Sequence, residues 1–181
     1  MARYVAFLRG MNLGNRRIKN DALRLRFEEL GFGDVATFRA SGNVIFDADD
    51  GDGEVALTER IEAGLAKALG YEVPVFLRSA AEVAAIAAQQ PFEETLVEAS
   101  KGKLQVSLML KKPAAKARKT VLALSTDEDR LALEGRELYW LPSAGTIDSD
   151  LDLKAIAAVL GPVTMRTKGT IDQIAAKHCA P

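Results

Sequence analysis

The feature that most constrains the fold is the order of strands and helices, which is the same in both halves of the chain. Short aliphatic and aromatic runs indicate strands, and apolar residues three and four positions apart indicate helices. In the first half the strands are predicted at residues 3–8, 34–39, 43–47 and 73–77, and the helices at residues 20–30 and 54–69. The resulting order is β-α-β-β-α-β.

The second half repeats this order without evident sequence identity to the first. The predicted strands are residues 104–110, 130–134, 137–141 and 163–166, and the predicted helices are residues 113–124 and 152–160. Thr170 and Gln173 have the spacing of a capping box for a terminal helix. We therefore predict an α+β protein of two tandem ferredoxin-like (α-β plait) subdomains with a C-terminal helix, namely residues 1–80 and 103–181, joined by residues 81–102.

Local signals refine these elements. Asn20 is predicted to cap the first helix, and Ser79 with Glu82 predicts a capping box for a short helix in the connector. Pro74 favours an edge position for the fourth strand, because proline lacks the N–H that an inner strand donates. Pro113 is predicted to open the first helix of the second half.

Charge and cysteine content limit the classes of function. Residues 1–40 carry eight basic and four acidic side chains. Residues 41–100 carry three basic and twelve acidic side chains, and residues 101–120 carry seven basic and no acidic side chains. This alternation, in a chain of net charge −1, gives no global signature of polyanion binding. A single cysteine, Cys179, excludes an internal disulfide and favours a reducing, cytoplasmic setting. No apolar run has the length of a membrane span.

The loop that leaves the first strand is the best candidate for a binding site. The predicted topology places this loop and the hairpin between the second and third strands at the same edge of the sheet. Guanidinium groups, hydroxyl and amide side chains, and backbone amides near glycine are the groups that hold phosphates and carboxylates. The candidate ligand-binding residues are Arg9, Gly10, Asn12, Arg16, Arg39, Ser41, Gly42 and Asn43, with Arg17 beside them.

A purely structural interpretation of the same residues stays open. The glycines could serve tight turns, the asparagines could bond nearby main chain, and the arginines could simply face water.

Motifs for other chemistry are weak or missing. The sequence has no phosphate-binding P-loop, dinucleotide fingerprint or metal-spaced His and Cys set, so we predict no metal, no cofactor and no catalytic residue of a recognised type. His178 is the single histidine. Residues 39–46 resemble part of an RNA-binding consensus, but Ser41 and Asn43 stand where aromatic rings would stack on bases, which argues against nucleic acid. The basic run at residues 111–119 is interpreted as a solvated helix face.

Several of these segments together resemble a known bacterial family. They are Tyr4 to Gly14, Leu30-Gly31-Phe32, Val35 with Thr37, Ser41-Gly42-Asn43-Val44 and Pro91-Phe92. The chain is similar over nearly its whole length to the family called domain of unknown function 1697. The resemblance implies a pair of α-β plait subdomains and implies no activity. The chain departs from the family within Arg166 to Thr170, where only Arg166 and Thr170 are kept, and at Ser149-Asp150, where the family tends to have Ser-Lys. A site formed there in relatives would be altered here.

Three functions follow as hypotheses. The first is a module without catalysis that binds a small anion, such as a nucleotide or phosphorylated metabolite, at Arg9, Asn12, Arg39, Ser41 and Asn43. The second is an enzyme that stabilises charge on a phosphorylated substrate, with Asp34 or Asp47 as general base. The third is a protein-interaction module that dimerises through an exposed sheet edge.

Overall fold

A computed structural model describes residues 1–39 and 42–181, which form two compact units. The first unit contains residues 1–84 and 174–181, and the second contains residues 85–173. Over the described residues the chain has two four-stranded antiparallel sheets and seven α-helices. Within that part, no helix combines the length and apolar character needed to cross a bilayer.

The first unit contains a four-stranded sheet formed by strands between residues 2 and 79. The elements are β1 (Ala2–Leu8), α1 (Asn20–Glu29), β2 (Gly33–Thr37), β3 (Asn43–Ala48), α2 (Glu54–Leu69) and β4 (Val75–Ser79). The strand order is β2-β3-β1-β4, with every neighbour antiparallel. The edge position predicted for the fourth strand from Pro74 is thus confirmed.

Both faces of this sheet are buried. On one face Leu8 and Phe46 form a core with Phe27 of α1 and Leu57 and Ile61 of α2. On the other face six side chains of β1, β3 and β4 are at most 1% exposed; these are Val5, Phe7, Asn43, Ile45, Phe76 and Arg78. Burying such aliphatic and aromatic surface is the main force that holds the strands together.

The second unit contains the other sheet. This unit includes the end of α3 (Ala80–Ala88) and the start of α7 (Lys168–His178). The elements between them are α4 (Glu94–Ala99), β5 (Gln105–Met109), α5 (Ala115–Leu122), β6 (Asp129–Glu134), β7 (Glu137–Pro142), a 3₁₀ turn (Thr146–Asp148), α6 (Leu153–Leu160) and β8 (Val163–Thr167). The strand order is β6-β7-β5-β8, again antiparallel throughout. Met109, Trp140 and Ile156 belong to its core.

Strand register shows a sequence correspondence between the halves that was not evident from the sequence. Val5 pairs with Arg78 in the first sheet, and Val106 pairs with Arg166 in the second. Aligning β4 with β8 on these arginines also aligns the helices that follow. The positions that become identical are Val75 with Val163, Arg78 with Arg166, Ile86 with Ile174, Ala87 with Ala175 and Ala88 with Ala176.

Three of the predicted helix starts differ in the structure. Lys19 rather than Asn20 occupies the N-cap of α1, and the Asn20 side chain bonds elsewhere. Thr167 rather than Thr170 caps α7, since the Thr170 N–H donates to Thr167 Oγ1 at 3.2 Å. Helix α5 begins at Ala115, two residues after Pro113.

The last turn of α7 belongs to the first unit, where His178 contacts Arg3 and Phe38. Arg3 donates to the His178 carbonyl at 3.4 Å, and the imidazole lies edge-on to the Phe38 ring at 6.4 Å. Its Nε2 is buried and has no hydrogen-bond partner among the described residues. Desolvation, with help from Lys177 and Arg3, lowers the pKa of His178, while Asp34 opposes this shift.

We expect His178 to make the free energy of unfolding fall in mild acid. The unfolded histidine titrates near 6.5 and the folded one below that value, so the unfolded state binds more protons as the pH drops. Stability should therefore decrease as the pH falls through about 6.5 and level off below the folded pKa. Urea unfolding from pH 7.5 to 5 checks this, with His178→Gln as the comparison. Parallel curves for the two proteins would contradict it.

Candidate functional site

Two loops meet at one end of the first sheet. Because β1 and β2 are both antiparallel to β3, they run in the same direction, and the loop after β1 lies beside the β2–β3 hairpin. The Leu8 N–H donates to the Gly42 carbonyl at 2.8 Å, and the Phe38 N–H donates to the Asn43 carbonyl at 3.0 Å. We call residues 9–19 together with residues 38–39 and 42–43 the loop edge.

Gly42 lets the two loops pack closely. Its φ is +75°, a conformation that L side chains rarely adopt. A Cβ at this position would lie 2.9 Å from Met11 Cγ and 3.0 Å from Leu8 Cβ. Met11 is itself only 3% exposed although it lies in a polar loop. Glycine is therefore required here by both conformation and space.

Two asparagine side chains hold the main chain of the loop edge. Asn43 is 1% exposed, and its Nδ2 donates to the Phe38 carbonyl at 2.9 Å across the base of the hairpin. Asn20, at the start of α1, donates from Nδ2 to the Arg39 carbonyl at 3.1 Å. These bonds tie the hairpin and the helix start to one another.

The arginines of the loop edge face solvent. Arg9, Arg16, Arg17 and Arg39 are all exposed. The Arg9 backbone is anchored, because its N–H donates to the Pro74 carbonyl at 3.1 Å. Within residues 1–39 and 42–181, the side chains of Arg9 and Arg17 make no hydrogen bond or ion pair, so their donors are available to a ligand.

Aromatic rings lie beside the other two guanidinium groups. Arg16 Cζ is 4.5 Å from the centre of the Tyr71 ring, and Arg39 Cζ is 5.6 Å from that of Phe38. Such contacts help to orient a guanidinium group. The sequence analysis missed Tyr71 and Met11; the only available signal for Met11 was an apolar residue within a polar loop.

The predicted site residues thus fall into two groups. The loop after β1 carries Arg9, Gly10, Asn12 and Arg16, with Asn12 exposed and Gly10 at a φ of +73°. The hairpin carries Arg39, Gly42 and Asn43, while Ser41 lies outside the described residues. The contacts at Gly42 bring the two loops together.

Arg39 has a left-handed backbone with a φ of +57°. Such a conformation costs a non-glycine residue about 1–2 kcal/mol, and strain of this kind clusters at functional sites. We expect Arg39→Gly to be more stable than Arg39→Ala by about 1 kcal/mol, because both lose the guanidinium and only glycine relieves the strain. Urea unfolding of the two variants measures the difference, and equal stability would show that the strain is absent in solution.

The two carboxylates considered as general bases lie at the other end of the sheet. Arg3 forms an ion pair with Asp34, and its Nε donates to Asp47 Oδ1 at 2.8 Å. This pairing raises the pKa of Arg3 above its ordinary value. Asp47 lies four positions along β3 from Asn43, which is about 13 Å along a strand. An anion held at the loop edge is therefore out of reach of both carboxylates.

In the two segments that depart from the family pattern, the retained residues Arg166 and Ser149 have structural partners. The Arg166 guanidinium donates to Thr164 Oγ1 at 2.8 Å and to the Met165 carbonyl at 2.9 Å, and burial lowers its pKa. Ser149 Oγ donates to Asp129 Oδ1 at 2.7 Å. The described residues contain no group of three or more His, Cys, Asp or Glu side chains suited to a metal ion.

The two antiparallel sheets with their packed helices define a mixed α+β protein. The model of the family described as "Protein of unknown function (DUF1697)" matches residues 1–139, and the chain belongs to that family. The chain is also similar to the solved structure of the conserved bacterial protein SP0830 from Streptococcus pneumoniae. The TM-score is 0.72 at 20% identity over 97% of each chain, which shows a shared fold. Among curated proteins, none matches the chain significantly.

Proposed function

We propose that the loop edge binds a small anionic ligand, such as a nucleotide or a phosphorylated metabolite, without catalysing a reaction. The observation that carries the proposal is the packing of Gly42 against Leu8 and Met11, which fixes two arginine-bearing loops side by side. Arg9 and Arg39 would supply charge-assisted hydrogen bonds, and Arg16 and Asn12 would extend the site.

The hydrogen bonds of Asn43 and Gly42 assign them a supporting role in this proposal. A buried amide that bonds the Phe38 carbonyl holds the hairpin in shape, so Asn43 would position Arg39 instead of meeting the ligand. Such preorganisation lowers the entropy cost of binding.

We further propose that each half is an α-β plait. Both sheets place their strands in the order second, third, first, fourth, with the same antiparallel pairing. RNA binding on the face of this plait is not favoured. The face that would carry stacking rings presents Asn43 and Ile45 from β3, and both are at most 1% exposed. Self-association through a sheet edge and a cytoplasmic location stay predictions from the sequence.

A thermal-shift screen at low salt tests the binding proposal. The panel contains inorganic phosphate, pyrophosphate, nucleotides and sugar phosphates. A ligand at 100 times its Kd stabilises the native state by about 2.7 kcal/mol, which gives a clear shift in Tm. The shift should shrink as salt is added, because the arginines are exposed and their charges are screened. Absence of a hit across the panel at low salt would contradict the proposal.

A further inference from the structure

The second unit contains a cavity whose lining combines apolar and charged side chains. Its volume is about 210 Å³, and it lies among the residues that follow α3, the start of β5 and the first turn of α7. This exceeds the roughly 150 Å³ of an apolar cavity that holds benzene. It is below the 300–1,000 Å³ or so of pockets for drug-sized ligands. The space therefore fits a molecule of roughly ten non-hydrogen atoms.

Part of the cavity lining is apolar. Phe92, Val97 and Leu104 belong to it, and all three are only half-buried. Covering apolar surface of this kind favours association. These side chains thus favour a ligand with a short branched or aromatic body.

The cavity lining also includes a nearly buried ammonium group. The Lys168 side chain is 13% exposed. Its Nζ donates to the Ala87 carbonyl at 2.7 Å and to Asp172 Oδ1 at 2.6 Å. An ammonium has three N–H groups, and in the described part of the chain the third meets no protein acceptor. That donor can bind a carboxylate of a ligand.

Two carboxylates also line the cavity. Asp172 remains 46% exposed although it pairs with Lys168, and Glu94 at the start of α4 is exposed. With one cation and two anions in the lining, a ligand that carries only negative charge is disfavoured. A ligand with a carboxylate and an ammonium group matches all three charges.

We propose that this cavity binds a free α-amino acid with an apolar side chain. Its carboxylate accepts from Lys168, its ammonium group donates to Asp172 and Glu94, and its side chain packs on Phe92, Val97 and Leu104. The site lies in the second unit and is separate from the loop edge. Its ligand is a zwitterion, whereas the loop edge is proposed to bind an anion.

Titration calorimetry of the full chain with leucine and three truncated analogues tests the chemistry. Leucine is expected to bind saturably at concentrations up to about 10 mM. Isoamylamine, which lacks the carboxylate, and 4-methylpentanoate, which lacks the ammonium group, should bind at least tenfold more weakly. Glycine, which lacks the apolar body, should show the same loss. Absence of saturable binding for leucine, or equal binding of leucine and any of the three analogues, would overturn the proposal.

A pair of substitutions on α4 locates the site. Glu94 lines the cavity and Glu98 does not, and both are exposed on the same helix. Glu94→Gln should weaken leucine binding about fivefold or more, and Glu98→Gln should leave it unchanged. Val97→Phe, which fills the cavity, should abolish binding in a chain that still unfolds cooperatively. Equal affinity in all three variants would place the ligand elsewhere and refute the assignment. Arg9→Ala with Arg39→Ala should not alter leucine binding, so failure at either site can be recognised separately.

Discussion

Replacing Arg9 and Arg39 by alanine together is expected to weaken anion binding at the loop edge by at least about 100-fold. Hydrogen bonds to charged groups contribute about 1.5–3 kcal/mol each, and about 1.4 kcal/mol corresponds to a factor of ten in Kd. Both side chains are exposed, so the double variant should keep its free energy of unfolding within about 1 kcal/mol. Calorimetric titration with the anion identified in the screen measures the loss.

A matched control separates the site from net charge. Arg24 and Arg26 lie on α1, where they pair with Glu28 and Glu29 near the surface. Arg24→Ala with Arg26→Ala removes the same two charges away from the loop edge. This variant should lose less than about threefold in affinity at moderate salt, because separated surface charges are screened. If the folded Arg9/Arg39 variant still binds the anion, the proposal is wrong. If the control variant loses as much affinity, the loss comes from overall charge and not from a site at the loop edge.

The order of strands and helices was readable because it depends on local pattern. Ser79 and Glu82 form the predicted capping box: the Ser79 N–H donates to Glu82 Oε2 at 2.8 Å, and the Glu82 N–H donates to Ser79 Oγ at 3.2 Å. The hairpin of β6 and β7 likewise lies where the alternating apolar residues predicted it. Both features involve residues close in sequence, so the neighbouring residue types suffice to identify them.

Side chains with more than one available partner were harder to assign. Asn20 has the residue type of an N-cap, yet its amide bonds the Arg39 carbonyl 19 positions away. Asn43 could have met a ligand, and only the register of β3 shows that its amide points to Phe38. A side-chain amide bonds equally well to a ligand or to main chain, and tertiary structure decides which is within reach.

The cavity of the second unit had no sequence signal. Lys168 and the Ala87 carbonyl are 81 positions apart, and the charged and apolar residues around them occur singly. Helix α4 was also missed, since its six residues are too few to show helical periodicity. Sites assembled from isolated residues of several elements are visible only once the chain is folded.

Gly42→Ala is expected to lower the free energy of unfolding by about 2–4 kcal/mol. A left-handed backbone costs a residue with a Cβ about 1–2 kcal/mol, and overpacking against well-placed neighbours costs about 1–3 kcal/mol more. Both apply here, because the φ is +75° and the new Cβ would press on Met11 and Leu8. Urea unfolding followed by circular dichroism measures the loss.

Gly14→Ala isolates the two contributions. Gly14 also has a left-handed backbone, with a φ of +59°, but a Cβ there would meet nothing within 4 Å. Gly14→Ala should therefore lower the free energy of unfolding only by the cost of the left-handed backbone, about 1–2 kcal/mol. If Gly42→Ala costs no more than Gly14→Ala, the two loops are not held in close contact. If it costs more and the folded variant also binds the anion less tightly than the Gly14 variant does, then the close approach at Gly42 is what brings Arg9 and Arg39 to the same ligand.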